Sequence, residues 1–181
     1  VVEPTGNGLG SDAYAIIWDG KELHGLNASG RAPGAWTPER FAGADKMPQR
    51  GWESVTTPGA VSAWREISDK FGKLPFEKLF EPAVEYASRG FAVSPIIATL
   101  WEKGGQTLGK QPGFAEAFLP GGKAPKAGEL FVNKAAADSL IDIAETKGES
   151  FYRGKLAAKI AAFAKKNGAA NPPVFTGLGK I

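Results

Sequence analysis

Cysteine is absent from the 181 residues, and histidine occurs once, as His24. The absence of cysteine excludes disulfides, thiolate metal sites and a cysteine nucleophile. A single histidine excludes a site built from several imidazole ligands, and we expect neither a metal nor a cofactor. No apolar run approaches the roughly 20 residues that a bilayer span needs, so the sequence predicts no transmembrane helix.

The composition is that of a folded domain with a small positive charge. Residues of the AVILMFWYC set make up 43% of the chain, and 22 basic residues against 19 acidic ones give a net charge of +3. The densest basic run, Lys155 to Lys166, has helical spacing and is interpreted as a solvated helix face. A nucleic-acid-binding stripe needs more charge and interleaved aromatic residues, so we expect no nucleic-acid partner.

A β-hairpin is predicted near the start of the chain. Residues 13–18 (AYAIIW) are apolar at both alternating sets of positions, which is typical of a strand buried between two layers. Asp19-Gly20 predicts a two-residue turn, and residues 21–27, including His24 at a surface or half-buried position, form the predicted return strand. A lone hairpin is marginal in water. This, with the absence of an initiator Met, leads us to expect a piece of a larger sheet protein.

After the hairpin, capping residues and glycine stops predict about six helices. Thr57-Pro58 is interpreted as the N-cap and first position of a helix that ends at Gly72. Ser94-Pro95 begins a helix that buries Ile97, Leu100 and Trp101 and ends before a surface excursion starting at Gly104. The other predicted starts are Pro75, Pro82, Phe114, Asn133 as the cap of residues 134–147, and a position near Ser150 for a final helix that runs to Asn167.

Seven short motifs occur in an order that resembles the large subunit of the gamma-glutamyltransferase (gamma-glutamyltranspeptidase) family. Each motif is weak alone, but together they cover roughly residues 2 to 168. The motifs are Val2–Pro4 with Gly8–Tyr14, Gly30–Pro33, Thr57–Val61, Phe71–Phe76, Glu81–Ala83, Gly90–Pro95 and Phe151–Gly154.

The resemblance implies an α/β fold: part of a four-layer αββα sandwich of the N-terminal-nucleophile hydrolase type. This fragment is then mostly helical with one N-terminal β-hairpin. Residues 1–168 are expected to be a large-subunit portion, and residues 169–181 a loop or tail. In this family a precursor cleaves itself, and the two products form a heterodimer whose small subunit begins with the nucleophilic threonine. Members occur both in the cytoplasm and exported, so the compartment stays open.

The implied reaction is transfer of a gamma-glutamyl group, from an amide such as glutathione, to water or an amino acid. A threonine whose own amine acts as base needs neither histidine nor cysteine. Thr57, followed by proline, fits a helix start better than this nucleophile. We therefore assign no catalytic residue to the chain and expect the chain alone to be inactive.

The resemblance also implies an arginine that binds the substrate α-carboxylate, three residues before an Ala-Pro pair. Here the pair is Ala32-Pro33, Ser29 holds that position, and Arg31 directly precedes the pair. A two-residue displacement keeps a strand side chain on the same face, but moves the backbone by about 6–7 Å. Arg31 is therefore either the substrate-binding cation or a partner in a loop salt bridge. Ser29 and Asn27 are weaker candidates for the pocket wall.

Two further interpretations stay open. The Ser29 departure favours a relative that hydrolyses another acyl amide, such as a cephalosporin-acylase-like amidohydrolase. A non-catalytic helical binding module is the third possibility. It predicts that the chain folds alone and needs no partner strand, which the doubly apolar strand argues against.

Overall fold

The predicted hairpin is present in the computed structural model, which describes residues 1–169. Strands β1 (Ala13–Trp18) and β2 (Leu23–Ala28) pair antiparallel, with Ala13 opposite Ala28 and Trp18 opposite Leu23. Helix α1 (Ala60–Phe71) packs against one face of the pair. The ring of His24, half-buried as predicted, lies 5.0 Å from that of Phe71.

The other face of the hairpin is exposed within the described residues, so burial between two layers stays a prediction for the larger protein. Tyr14, Ile16 and Trp18 of β1 are 68%, 80% and 63% exposed. Leu23, which pairs with Trp18, is also exposed. Alternation along β1 sends these side chains away from α1. Within residues 1–169, one apolar face of the hairpin is therefore covered and the other is not.

The hairpin loop is longer than the predicted two residues. The strand ladder ends at Trp18 and Leu23, which leaves four residues, Asp19–Glu22, between the strands, with Gly20 at φ +99°. One further backbone bond, from the Asp19 N–H to the Glu22 carbonyl at 3.3 Å, closes this loop. One Asp19 carboxylate oxygen accepts hydrogen bonds from the backbone N–H groups of Lys21 and Glu22, at 2.8 and 2.9 Å. These side-chain bonds satisfy two loop amides and hold the loop in place.

Besides the hairpin and α1, the structure contains two short strands, six further helices and four 3-10 turns within residues 1–169. No helix there is long and apolar enough to cross a membrane. The elements are α2 (Glu81–Arg89), β3 (Phe91–Ala92), α3 (Pro95–Leu108), α4 (Phe114–Phe118), β4 (Leu130–Phe131), α5 (Lys134–Glu145), α6 (Glu149–Arg153), α7 (Lys155–Lys166), and 3-10 turns at Pro38–Phe41, Trp52–Ser54, Phe76–Phe80 and Pro120–Gly122.

The elements divide into two units, of which the first comprises residues 1–8 and 77–144. Its core is an aromatic cluster in which the Trp101 and Phe131 rings lie 4.6 Å apart. The Trp101 indole N–H donates to the carbonyl of Phe118 at 2.7 Å, so this buried polar atom is satisfied. The buried members of the cluster are Phe91, Val93, Ile97, Trp101 and Phe131.

The second unit comprises residues 9–76 and the chain from 145 onward, as far as it is described. It holds the hairpin, α1, α6 and α7. Val61 and Ala63 of α1 are fully buried, and Phe151 and Tyr152 of α6 are buried as well. The predicted tail, residues 169–181, lies outside the described residues apart from Ala169.

Several helix starts agree with their capping residues. The Ser94 hydroxyl accepts from the amide of Ile97 at 3.3 Å, and the Asn133 side chain accepts from the amide of Ala136 at 3.0 Å. The α2 helix ends at Gly90, whose φ of +95° favours glycine. These local signals are strong because one side chain or one backbone angle settles each boundary.

Other boundaries were predicted wrongly. Helix α1 begins at Ala60 instead of Pro58, and Gly59 precedes it without any side-chain cap. Helix α3 continues past Gly104 to Leu108, because a glycine weakens a helix by only about 1 kcal/mol. Leu100 is 46% exposed; it is rotated by about 100° from Trp101, which faces the core.

The predicted final helix is divided into α6 and α7 at Gly154. Gly154 has non-helical angles, φ −114° and ψ −147°. A Cβ at this position would lie 2.8 Å from the Cα of Ser150. Close approach of the backbone therefore separates two segments that the apolar spacing alone joins.

The hairpin loop gives an acid-dependent prediction. Bonds from the Glu22 amide, the His24 ring and the Lys21 amide lower the pKa of Asp19 from 3.8 to about 2. A lowered pKa stabilises the fold above pH 4, and this contribution is lost as the pH falls from about 4 to about 2. We expect the thermal-midpoint advantage of the wild-type full-length protein over Asp19→Asn to shrink across that range. Asp45→Asn, on an exposed loop, is the control, and an advantage independent of pH would contradict the prediction.

Candidate functional site

The predicted site residues lie where β2 leaves the hairpin. Asn27 is on the exposed face of the last strand positions, Ser29 is half-buried just beyond the strand, and Arg31 is exposed. The Asn27 side-chain oxygen accepts from the backbone N–H of Ser29 at 3.0 Å. This bond turns the chain at the strand end, so Asn27 has a local structural role in addition to its predicted place in a pocket wall.

Gly30 brings this loop against the segment that precedes α1. Its φ of +66° favours glycine, and a Cβ there would overlap the carbonyl oxygen of Thr57. The backbone N–H of Thr57 donates to the carbonyl of Arg31 at 3.0 Å. The backbone that carries Arg31 is therefore held by residues 57–59, which are distant in sequence.

Gly59 allows a second close main-chain contact between the segment before α1 and the end of β2. A Cβ on Gly59 would overlap the carbonyl oxygen of Ala28, the last residue of β2. The next residue, Ala60, donates its backbone N–H to the carbonyl of Ser11 at 3.0 Å. The start of α1 is thus packed onto the hairpin at main-chain distance.

The Arg31 side chain takes no part in these contacts. Across residues 1–169 its guanidinium makes no ion pair and no hydrogen bond, so the loop salt bridge considered above is absent from the described structure. Its exposed guanidinium keeps five N–H donors in a planar fork, the geometry that suits a carboxylate. The backbone is fixed while the cation is available to a ligand.

Tyr152 is a structural contributor that the sequence did not identify. It is buried in α6, and its hydroxyl donates to the carbonyl of Pro58 at 2.8 Å and accepts from the backbone N–H of Ser62 at 2.9 Å. Burial raises the pKa of the Tyr152 hydroxyl. The first N–H groups of a helix need outside acceptors, and here a tyrosine 90 residues away supplies one. Only the Phe151–Gly154 motif marked this position.

One cluster of possible metal ligands occurs in the described part of the chain, in the hairpin. Donor atoms of Asp19, Glu22 and His24 lie within 4.8 Å of one another. However, the Lys70 ammonium lies 3.3 Å from Nδ1 of His24, and Asp19 already accepts from two loop amides. The cluster closes the hairpin loop and joins it to α1, and we assign no metal to it.

A family model decides how the chain is classified: the model described as gamma-glutamyltranspeptidase matches residues 1–171. The chain belongs to the gamma-glutamyltranspeptidase family. This confirms the resemblance inferred from the motifs.

Individual members of the family agree with this classification. A glutathione hydrolase-like proenzyme of Bacillus subtilis is 37% identical over 171 residues, which are 93% of this chain and 33% of the relative. A cephalosporin acylase of Bacillus halodurans superimposes with a TM-score of 0.88 at 41% identity, covering 97% of this chain and 34% of that one. A gamma-glutamyltranspeptidase of Helicobacter pylori gives a TM-score of 0.88 at 26% identity over 96% of this chain and 52% of that one. The chain thus spans about a third of the curated relative it matches.

The contact between Gly30 and Thr57 gives a stability prediction. Gly30→Ala forces an unfavourable φ and a clash with the main chain, so the free energy of unfolding should fall by about 2–4 kcal/mol. Gly34→Ala is the matched control, because a Cβ there meets no atom within 4 Å. Urea unfolding of the two full-length variants measures the difference. Equal midpoints would show that the close approach does not contribute to stability.

Proposed function

We propose that the full-length protein is a gamma-glutamyltransferase-like enzyme that cleaves or transfers gamma-glutamyl or related acyl amides. This chain forms part of the large subunit of its four-layer αββα sandwich. Residues 1–168 are the large-subunit portion, and residues 169–181 a loop or tail. Membership of the family over residues 1–171 supports the class. The unpaired guanidinium of Arg31, on a fixed loop at the end of β2, is the observation that carries the proposal.

The chemistry takes place on a threonine outside this chain. The proenzyme form of relatives supports self-cleavage that leaves this threonine at the start of a small subunit. Its hydroxyl oxygen attacks the amide carbonyl, while its own amine accepts the hydroxyl proton and passes a proton to the leaving amine. Water or an amino acid then attacks the acyl-enzyme and releases the threonine. The chain alone is inactive, because it contributes no nucleophile.

Arg31 supplies the recognition of the acyl group. Two parallel N–H···O bonds from the guanidinium hold the α-carboxylate of the gamma-glutamyl group, an interaction that is stronger and more directional than one with lysine. Ser29 and Asn27 contribute wall positions beside it. The hydrogen bond between the Thr57 amide and the Arg31 carbonyl fixes the backbone from which the side chain reaches.

A cephalosporin-acylase-like amidohydrolase is the second candidate. The 41% identity to the Bacillus halodurans acylase favours it. The presence of Ser29 three residues before Ala32 favours it also, because a pocket without the usual arginine suits an acyl group without an α-carboxylate. The two candidates share the nucleophile and the fold and differ in the acyl donor. A non-catalytic binding module fits less well, since the family consists of hydrolases and transferases.

The exposed hairpin face is proposed to pack against the small subunit. Its apolar side chains form one row: Tyr14, Ile16 and Trp18 follow one another along β1, and Leu23 of β2 lies opposite Trp18. Burying such a row removes a surface that would otherwise favour aggregation. The share of the relatives left uncovered by this chain is long enough to supply an opposing sheet.

Amide hydrogen exchange tests the proposed packing. In the processed full-length protein, residues 13–18 should exchange far more slowly than loop residues such as 43–50, because covered strands open only with large parts of the fold. Trp18→Ser should accelerate exchange across the hairpin, while Lys21→Ser in the loop should not. Exchange of residues 13–18 at loop rates would contradict the sandwich arrangement.

Arg31→Ala tests the specificity. Loss of a bidentate, charge-assisted contact should cost about 2–4 kcal/mol in kcat/KM for a gamma-glutamyl anilide, or roughly a 30- to 1,000-fold decrease. Self-cleavage should be unaffected, and so should hydrolysis of 4-aminobutyryl anilide, which lacks the α-carboxylate. Arg50→Ala, which removes another exposed arginine, is the control. Unchanged hydrolysis of both donors would exclude Arg31 from substrate binding, and equal use of both donors by the wild type would favour the acylase.

A further inference from the structure

The Tyr152 hydroxyl is bonded to main-chain groups on both sides of the start of α1. It donates to the Pro58 carbonyl at 2.8 Å and accepts from the Ser62 amide at 2.9 Å. Both bonds join positions more than 85 residues apart in sequence, and the tyrosine is 5% exposed. A hydroxyl that both donates and accepts in a buried place has little freedom to turn or move.

The segment held by Tyr152 is also the segment that holds Arg31. Pro58 directly follows Thr57, and the Thr57 amide donates to the Arg31 carbonyl at 3.0 Å. Proline fixes its own φ and restricts the residue before it to extended angles. A displacement of the Pro58 carbonyl therefore moves Thr57 as well, because these two adjacent residues have few free torsions in which to absorb it.

The loop that carries Arg31 must move together with residues 57–59. Gly30 packs so closely on Thr57 that no Cβ fits between them, and Gly59 packs in the same way on Ala28. Movement of residues 57–59 is therefore transmitted to the end of β2. A continuous set of contacts runs from the Tyr152 hydroxyl through Pro58 and Thr57 to the Arg31 backbone.

We propose that Tyr152 is a positioning residue for substrate binding: its hydroxyl holds residues 57–59 so that Arg31 is presented at a fixed place. The inference rests on the proposed function, in which Arg31 binds the α-carboxylate of the acyl donor. Tyr152 itself touches neither substrate nor the nucleophile. It acts on recognition of the carboxylate and leaves the chemical step on the threonine unchanged.

The test uses Tyr152→Phe in the processed full-length protein, which keeps the ring and removes only the hydroxyl. Tyr86→Phe makes the same chemical change at an exposed tyrosine, and Ile143→Val removes one methyl group from a buried side chain in the other unit. The Ile143→Val control is expected to lower stability modestly while leaving the contacts at Thr57 unchanged. Two measurements are made: hydrogen exchange at the Thr57 amide, and KM and kcat for the gamma-glutamyl and 4-aminobutyryl anilides.

We expect Tyr152→Phe alone to accelerate exchange at the Thr57 amide and to raise KM for the gamma-glutamyl anilide. The increase should be about 3- to 10-fold, the factor that corresponds to one net hydrogen bond. kcat and both constants for the 4-aminobutyryl anilide should stay within twofold of wild type. A general loss of stability would instead affect both donors and would be reproduced by Ile143→Val.

Hydrogen exchange at the Thr57 amide distinguishes the positioning role of Tyr152 from the substrate-binding role of Arg31. Unchanged exchange at Thr57, or equal effects on the two donors, would overturn the positioning role of Tyr152. Faster exchange at Thr57 with no change in KM for either donor would uphold the mechanical link from Tyr152 and would overturn the assignment of Arg31 in the proposed function.

Discussion

The main-chain contact between the end of β2 and the start of α1 is the constraint on which the candidate site depends. Two glycines, Gly30 and Gly59, allow the backbones to meet where any side chain would overlap a carbonyl oxygen. The hydrogen bond from Thr57 to the Arg31 carbonyl then joins the two segments. A long flexible side chain gains binding specificity only if its backbone is fixed, and this contact fixes it.

Helix α6 of the second unit stabilises the contact between β2 and α1 through its own bonds to α1. The α6 helix reaches the beginning of α1 through Tyr152, and it reaches the middle of α1 through an ion pair between Glu149 and Arg65, 2.7 Å long. Arg65 and Arg153 lower the pKa of Glu149, and Glu149 raises that of Arg65. An exposed pair of this kind contributes little stability by itself. It fixes orientation, while burial of apolar side chains such as Val61 and Phe151 contributes to the packing.

The sequence predicted features in which the decisive information is local. The strand at residues 13–18, the Ser94 and Asn133 caps and the Gly90 stop each depend on a few neighbouring residues, and each is confirmed. The predicted helix start at Thr57-Pro58 is wrong because contacts with distant residues, and not the local Thr-Pro capping signal, determine where α1 begins. Thr57 instead donates its amide to Arg31, and Tyr152 provides an acceptor for the first turn of α1.

The candidate site divides in the same way. The sequence by itself indicated the family, through seven short motifs in the expected order, and it determined which cation is present near the Ala-Pro pair. The tertiary structure decided that Arg31 has no ionic partner in the described chain, that its backbone is held by residues 57–59, and that Tyr152 lies behind them. These facts rest on main-chain contacts between segments far apart in sequence. In the sequence, the only sign of such a main-chain contact is a glycine. A glycine does not indicate which distant segment packs against it.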